Sequence, residues 1–249
     1  MARIAITNYD WNLHYQADRD YWWSRGRREL VGELLVRFSG SLRGKKILDL
    51  GCGSGLLLAE LQKKGAGGFG IDKSARAVAA CRQQKLKIKR GVANHLPYSD
   101  RFFDVVIALD LLEHINSEEK VLDQINRVLK NGGYFLVTVP AFPSLWSSRD
   151  KRLGHFRRYR REDLQRPLED RGFKIKKSSY FISFFFPWWL LRTSLERLAG
   201  DKARIKTDLL LVPGVLNSVL LWILRTENEL LKYFDLPFGV SLLVLVQKR

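Results

Sequence analysis

Cysteine is scarce. Cys52 and Cys81 are the two in 249 residues, and their spacing fits neither a disulfide framework nor a metal-ligand pair. No grouping of His, Cys and acidic residues has ligand spacing either, so no metal is expected, and a reducing, cytoplasmic compartment fits best. The opening stretch "MARIAITNYDWNLHYQ" lacks a continuous apolar core with a cleavage site, which argues against a secretory signal. Long apolar runs are wanting too. A spanning helix needs about 20 apolar residues, and the run from Leu209 to Leu224 is shorter and broken by Pro213, Gly214, Asn217 and Ser218. Acidic residues are the third shortage: 26 Asp and Glu against 43 Lys and Arg give a formal net charge of +17. Such a balance points to an anionic partner, either nucleic acid or an acidic membrane surface, and says nothing of fold.

What the chain does have is alternation. Between residues 45 and 140, the apolar runs "KILDLG", "GGFGID", "LKIKRG", "FDVVIALD" and "GGYFLVTVP" are separated by "GLLLAELQKKG", "SARAVAACRQQ" and "SEEKVLDQINRVLKNGG", whose apolar residues recur at helical spacing. Strands alternating with helices predict right-handed βαβ units. The last of these helices is expected to start at Ser117 as N-cap and to stop at Asn131-Gly132-Gly133. Residues 1–44 read as an N-terminal helical lid, with Trp22 and Trp23 over the site or in the core, and 45–183 as an α/β core. Residues 184–236 read as an apolar helical insertion and 237–249 as the last strand of the sheet. In the insertion, Phe184, Phe185, Phe186, Trp188 and Trp189 beside Arg192 and Arg197 suit a helix lying in a lipid headgroup layer; a packed hydrophobic subdomain is the other reading.

The stretch "KKILDLGCGSGLLL" is a buried strand, a glycine turn and a helix start, spaced G-x-G-x-G rather than the G-x-G-x-x-G of dinucleotide loops. Glycines at 51, 53 and 55 let a ligand touch the backbone, and the helix start favours a negative group. Asp72 ends the next strand about 20 residues on, where a carboxylate can accept from both ribose hydroxyls, so a nucleoside ligand is expected.

In this order, "ILDLGCGSG", the Asp of "GFGIDKS", "GVANHLPYSDRFFDVVIALDLLEHI" and "LKNGGYFLVTVP" resemble the motifs of class I S-adenosylmethionine-dependent methyltransferases, over roughly residues 45 to 140. The resemblance implies a Rossmann-like sheet of seven strands, mostly parallel, with helices on both faces, and S-adenosyl-L-methionine as cofactor. It puts Asp49, Gly51, Gly53 and Gly55, with Cys52 between them, at the methionine end, and Asp72 with its neighbour Lys73 at the ribose. It puts Ala93 and Asn94 near the adenine and Leu109 and Asp110 close to the sulfonium. One departure is Val92, which stands where family members often carry an acid for the adenine amino group. Cys52 reads as a small filler, since no base accompanies it.

Methyl transfer needs an aligned acceptor, a way to lose its proton, and exclusion of water. His114 in "LLEHI" and His155 and Tyr159 in "LGHFRRYRREDL" are the candidates for that work, and the arginines of the second segment could clamp an anionic acceptor. This segment, with "YWWSRGRREL", resembles a subset of these enzymes from membrane or cell-envelope glycolipid pathways. The expected function is methylation of an oxygen or carbon on a lipid-soluble or lipid-linked acceptor, by a protein held peripherally on the anionic inner face of a membrane. Two alternatives stand beside it: nucleic-acid methylation, which uses the same positive charge, and a non-catalytic cofactor-binding subunit docking a partner protein. Oligomeric state is not legible.

Overall fold

A computed structural model describes residues 11–199 and 212–249. The first ten residues of the expected lid, and residues 200–211 of the expected insertion, lie outside the described residues. Two helices, α1 (Trp11–Asp20) and α2 (Trp22–Ser39), lead into β1 (Lys46–Leu50). There follow α3 (Leu56–Lys63), β2 (Gly67–Asp72), α4 (Ala75–Gln83), β3 (Lys87–Arg90), β4 (Phe103–Leu109), α5 (Glu118–Val128) and β5 (Leu129–Pro140). The chain continues through α6 (Ser148–Leu153), α7 (Arg161–Glu169), β6 (Phe173–Phe181), α8 (Phe186–Ala199), α9 (Gly214–Leu231) and β7 (Ser241–Lys248).

The seven strands form one sheet in the order β3-β2-β1-β4-β5-β7-β6. Strands β1 to β5 are parallel, and β7 runs antiparallel between β5 and β6. These are the βαβ units that the alternation predicted, in the mostly parallel, Rossmann-like sheet of seven strands that the resemblance implied. Strand pleating sends alternate side chains to opposite faces, and the two cores show it. Leu48, Val106, Phe135, Val137 and Val244 fill the core on one face, while Ile47, Val105, Ile107, Leu136 and Leu245 fill that on the other. The order reverses between β1 and β4, and open α/β sheets bind ligands in the crevice at such a switch point.

Two local expectations differ from the structure. Helix α5 ends at Val128 and the chain is extended from Leu129, three residues before Gly132. Leu129 is wholly buried and pairs with Phe103, and the register then shifts before Val105 pairs with Tyr134; Gly132, at φ +75°, sits in this irregularity. Burial of Leu129 thus outweighs the glycine stop signal. Ser117 precedes α5 but its side chain makes no capping bond.

The segment between β6 and β7 is tied to the rest of the molecule. Helix α9 packs on α2, with Gly26 so close to Leu224 that a methyl group added there would lie 2.4 Å from its Cδ2. Asn228 Nδ2 donates to the Gly26 carbonyl (2.9 Å), and the Asn217 side-chain oxygen accepts from the Trp22 N–H (2.9 Å). Glu227, buried, accepts from the backbone N–H groups of Ile182, Ser183 and Phe184 just past β6. Trp22 is buried against Phe185 at 4.6 Å between ring centroids, so its role is packing. Trp189 is buried beside Trp23, whereas Trp188 and Phe184 are exposed. Among the described residues, no helix is long and apolar enough to cross a membrane.

Candidate functional site

The glycine turn follows β1 at the switch point. Gly51, Gly53 and Gly55 all have positive φ (72°, 50° and 74°), a region that other residues enter only with strain. Gly55 is also sterically confined, since a methyl group there would come within 2.5 Å of Leu86 and 2.8 Å of Cys81 Sγ. A methyl group on Gly53 would make only an ordinary contact, 3.9 Å from the Gly51 carbonyl oxygen. The turn is anchored to β2: Gly51 and Cys52 donate to the Ile71 carbonyl (2.8 and 3.2 Å), and Gly53 donates to Asp72 Oδ2 (3.0 Å). The other oxygen of Asp72 accepts from Ser74 N–H (2.8 Å), which leaves lone pairs on both oxygens for further donors. Cys52 is buried, and its sulfur would meet a methyl group on Gly70 at 2.8 Å, a packing position.

Asp49, at the end of β1, is almost fully buried. Burial, with the charge of Asp72 next, pushes its carboxyl up to about 8, and Arg27 opposes the shift. Arg27, from α2, also forms an ion pair with Asp110 Oδ2. Asp110 follows β4 with φ +48°; its backbone N–H donates to the Thr138 carbonyl (2.9 Å) and its Oδ1 accepts from the Thr138 hydroxyl (3.0 Å). Asp18 of α1 accepts a hydrogen bond from the Ser54 hydroxyl of the glycine turn, so the N-terminal helices rest on this edge of the sheet. Leu109 is half-buried at the end of β4. Ala93 is buried and Asn94 exposed, on the short turn after β3 where Val92 bridges to His95.

The loops after β4 and β5 meet at the same edge. Phe156 N–H donates to the Glu113 carbonyl (2.7 Å), and Arg157 donates to the Asn116 carbonyl (2.7 Å). This stitching brings the rings of His114 and His155 to 4.7 Å, edge to face. Asp150 Oδ1 lies 2.9 Å from His155 Nδ1 and accepts from Arg158 Nε at 2.9 Å. Burial, followed by the charges of His155 and Lys73, drives His114 down to about 4, so its imidazole is neutral at physiological pH. Lys73, exposed beside Asp72, thereby acts across to His114. Glu113 is buried with Oε2 unpartnered, and burial with the charge of Asp110 raises its carboxyl well above the usual range. Tyr159 is not part of this group: its ring lies in the core and its hydroxyl donates to Glu118 Oε2 (2.5 Å).

Arg27, Asp18, Thr138 and Asp150 were not legible as site residues, and Glu113 was legible only as the neighbour of His114. Asp150 had one signal, as the lone acid in the basic run "SSRDKRLGHFRRYR" five residues before His155. The edge as a whole offers a glycine cradle, a carboxylate with free lone pairs, and a neutral His114 against His155 with an adjacent buried acid. That set can hold a nucleoside-linked ligand and draw a proton from a second molecule.

A family model described as a methyltransferase domain matches residues 22–178. A probable S-adenosylmethionine-dependent methyltransferase from Mycolicibacterium smegmatis is 29% identical over 165 residues, covering 64% of this chain and 62% of that protein. A ubiquinone biosynthesis O-methyltransferase from Klebsiella pneumoniae is 31% identical over 116 residues, 43% of this chain and 48% of its own. The matches thus span somewhat over half of the first relative's length and about half of the second's. A protein from Galdieria sulphuraria assigned as a sarcosine dimethylglycine methyltransferase shares the fold, with a TM-score of 0.64 at 16% identity over 90% of this chain and 86% of its own.

Proposed function

Because this chain belongs to the class I S-adenosylmethionine-dependent methyltransferases, we propose that it transfers the methyl group of S-adenosylmethionine to an oxygen or carbon of a lipid-soluble or lipid-linked acceptor at a membrane surface. The observation that carries the chemical half is the meeting of the glycine turn, Asp72, Asp110 and the His114–His155 pair at one edge of the sheet. On this reading the methionine end of the cofactor lies over Asp49 and residues 51–55, the ribose meets Asp72 beside Lys73, and the adenine sits by Ala93 and Asn94. The sulfonium then faces Leu109 and Asp110. The sulfonium carries its own activation, so the protein's work is to align the acceptor and to draw its proton. Glu113, His114 and His155 are the groups placed to prepare a hydroxyl acceptor for the loss of its proton.

The acceptor half of the proposal rests on α8 and α9. Leu191, Leu195 and Leu198 are exposed at helical spacing on α8, and Val215, Val219 and Trp222 repeat the pattern on α9. Apolar stripes on a chain of net charge +17 suit an anionic membrane surface. That relatives include ubiquinone biosynthesis O-methyltransferases agrees with an apolar acceptor.

The test is to incubate the purified protein with methyl-labelled S-adenosylmethionine and source-cell extract, then to separate organic, aqueous, protein and nucleic-acid fractions. Label in the organic phase that disappears with Asp72→Ala, at an unchanged melting temperature, is the expected result. Label confined to nucleic acid would move the net charge to RNA or DNA binding. Tight cofactor binding with no labelled product in any fraction would point to the non-catalytic subunit.

A further inference from the structure

The loops after β4 and β5 bring His155 to the adjacent pair Glu113 and His114, from a distant part of the sequence. Glu113, His114 and His155 each offer one ligand atom, and these atoms all lie within 4.8 Å of one another. Four features separate this group from a chance meeting. The Glu113 Oε2 atom is buried and has no hydrogen-bond partner, although buried carboxylate oxygens ordinarily find one. His155 is held at Nδ1 by Asp150, which leaves Nε2 with its lone pair, the arrangement by which a carboxylate orients a ligating imidazole. The His114 ring stands edge to face with that of His155, 4.7 Å between centroids, which keeps the two imidazoles together. The backbone bond from Phe156 to Glu113 fixes one loop on the other.

We propose that Glu113, His114 and His155 bind a divalent transition-metal ion, with Asp150 as the positioning residue for His155. Two imidazoles and one carboxylate suit zinc, iron, cobalt or nickel rather than magnesium or calcium, which prefer all-oxygen ligand sets. A tetrahedral ion with bonds of about 2.0–2.1 Å needs its ligands roughly 3.4 Å apart, so small side-chain rotations close the group. Asp110 and Asp150 both act on Glu113 with negative charge, which a cation offsets, while Arg27 acts the other way. Three protein ligands leave a coordination position open, as catalytic rather than structural sites do.

The place of the ion deepens the methyl-transfer reading and rests on it in this one respect: an acceptor hydroxyl in the open position, beside Asp110, would lose its proton to solvent water on coordination, and its oxygen would then take the methyl group as the S–CH3 bond breaks and S-adenosylhomocysteine leaves. Metal binding itself is independent of the acceptor.

The experiment uses the full chain without a histidine tag. Equilibrium dialysis against Co2+ should give one ion per chain with a visible d–d spectrum, displaced by Zn2+ and not by excess Mg2+. His155→Ala and Glu113→Gln should each weaken Co2+ binding by tenfold or more, and Asp150→Asn by about tenfold, with melting temperatures close to that of the parent. X-ray absorption at the zinc edge of the unaltered protein serves should any variant fail to fold, and should show two imidazoles with oxygen ligands. Absence of bound Co2+, affinity unchanged by both His155→Ala and Glu113→Gln, or sulfur ligation from Cys52 or Cys81 would overturn the proposal. S-adenosylhomocysteine binding, measured in parallel, separates the outcomes: if it persists without metal binding, the ion fails and the methyltransferase reading stands.

Discussion

Arg27 of α2 is ion-paired with Asp110, the residue that leaves β4 with φ +48°. The pair is partly buried, with side-chain exposures of 16% and 32%, so its charges are less screened than those of a surface pair. Thr138 holds the other oxygen of Asp110. The N-terminal helix thus neutralises a carboxylate at the position where the sulfonium is proposed to lie.

Replacing Arg27 should therefore change selectivity more than fold. With Arg27→Leu, the Asp110 charge is free to attract the cationic sulfonium of S-adenosylmethionine, while the neutral thioether of S-adenosylhomocysteine gains nothing. The ratio of the two dissociation constants should shift by about fivefold in favour of the cation, on the order of 1 kcal/mol. Calorimetric titration of both ligands checks this, and an unchanged ratio would remove Asp110 from the vicinity of the sulfonium.

Gly55 and Gly53 should separate folding from binding. Gly55→Ala places a methyl group against Leu86 and Cys81 in a left-handed conformation, which should cost roughly 2–3 kcal/mol of stability. Gly53→Ala clashes with nothing, its nearest neighbour being the Gly51 carbonyl oxygen at 3.9 Å, and bears only its positive φ, about 1 kcal/mol. Its larger effect should be on cofactor affinity, because the added side chain stands on the surface proposed to touch the ligand. Urea unfolding and cofactor titration of the two variants measure the contrast.

Asp49 makes the unliganded protein sensitive to base. Its folded carboxyl titrates near 8, above its ordinary 3.8, so folding favours the protonated form. That contribution is whole below the ordinary value and is lost as pH rises toward and through 8. The apo melting temperature should fall from about pH 5 to about pH 8 and level off above that, and fall less in Asp49→Asn. A cofactor whose methionine amino group lies beside Asp49 should flatten the same curve. Thermal melts across that range, with and without ligand, read all three expectations.

Legibility from sequence followed the reach of each interaction. The βαβ core declares itself locally, because the alternating burial of Ile47 and Leu48 on β1, or of Leu136 and Val137 on β5, leaves a period in the chain. The glycine turn and Asp72 were legible for the same reason, lying about 20 residues apart on consecutive strands. Arg27 and Asp110 are separated by 83 positions, and no spacing links them. His114 and His155 were singled out apart; their contact depends on the Phe156–Glu113 backbone bond across two loops, which leaves no pattern in either. Trp22 and Trp189 could be read as lid, membrane anchor or core, since an aromatic side chain looks alike in all three until its neighbours are known.

The apolar stripes of α8 and α9 yield the prediction that bears on the acceptor. These helices have inner faces that are spoken for: Trp189 packs by Trp23, and Leu221 and Leu224 by Gly26. Their outer residues, Leu191, Leu195 and Leu198 on one and Val215, Val219 and Trp222 on the other, contribute little to folding, with Leu198 86% and Val215 81% exposed. Replacing Leu195 and Trp222 with serine should leave the melting temperature within about 2 °C, since surface substitutions away from packed features cost roughly half a kcal/mol or less. If the stripes enter a headgroup layer, each lost side chain forfeits roughly 2 kcal/mol of apolar burial, and binding to anionic phospholipid vesicles should weaken by well over tenfold. Salt should weaken what remains, because the surplus of Lys and Arg acts at the charged surface. Vesicle sedimentation of the parent and the double variant decides it: equal binding by both would assign the membrane contact to charge alone and leave the two stripes without a part in acceptor capture.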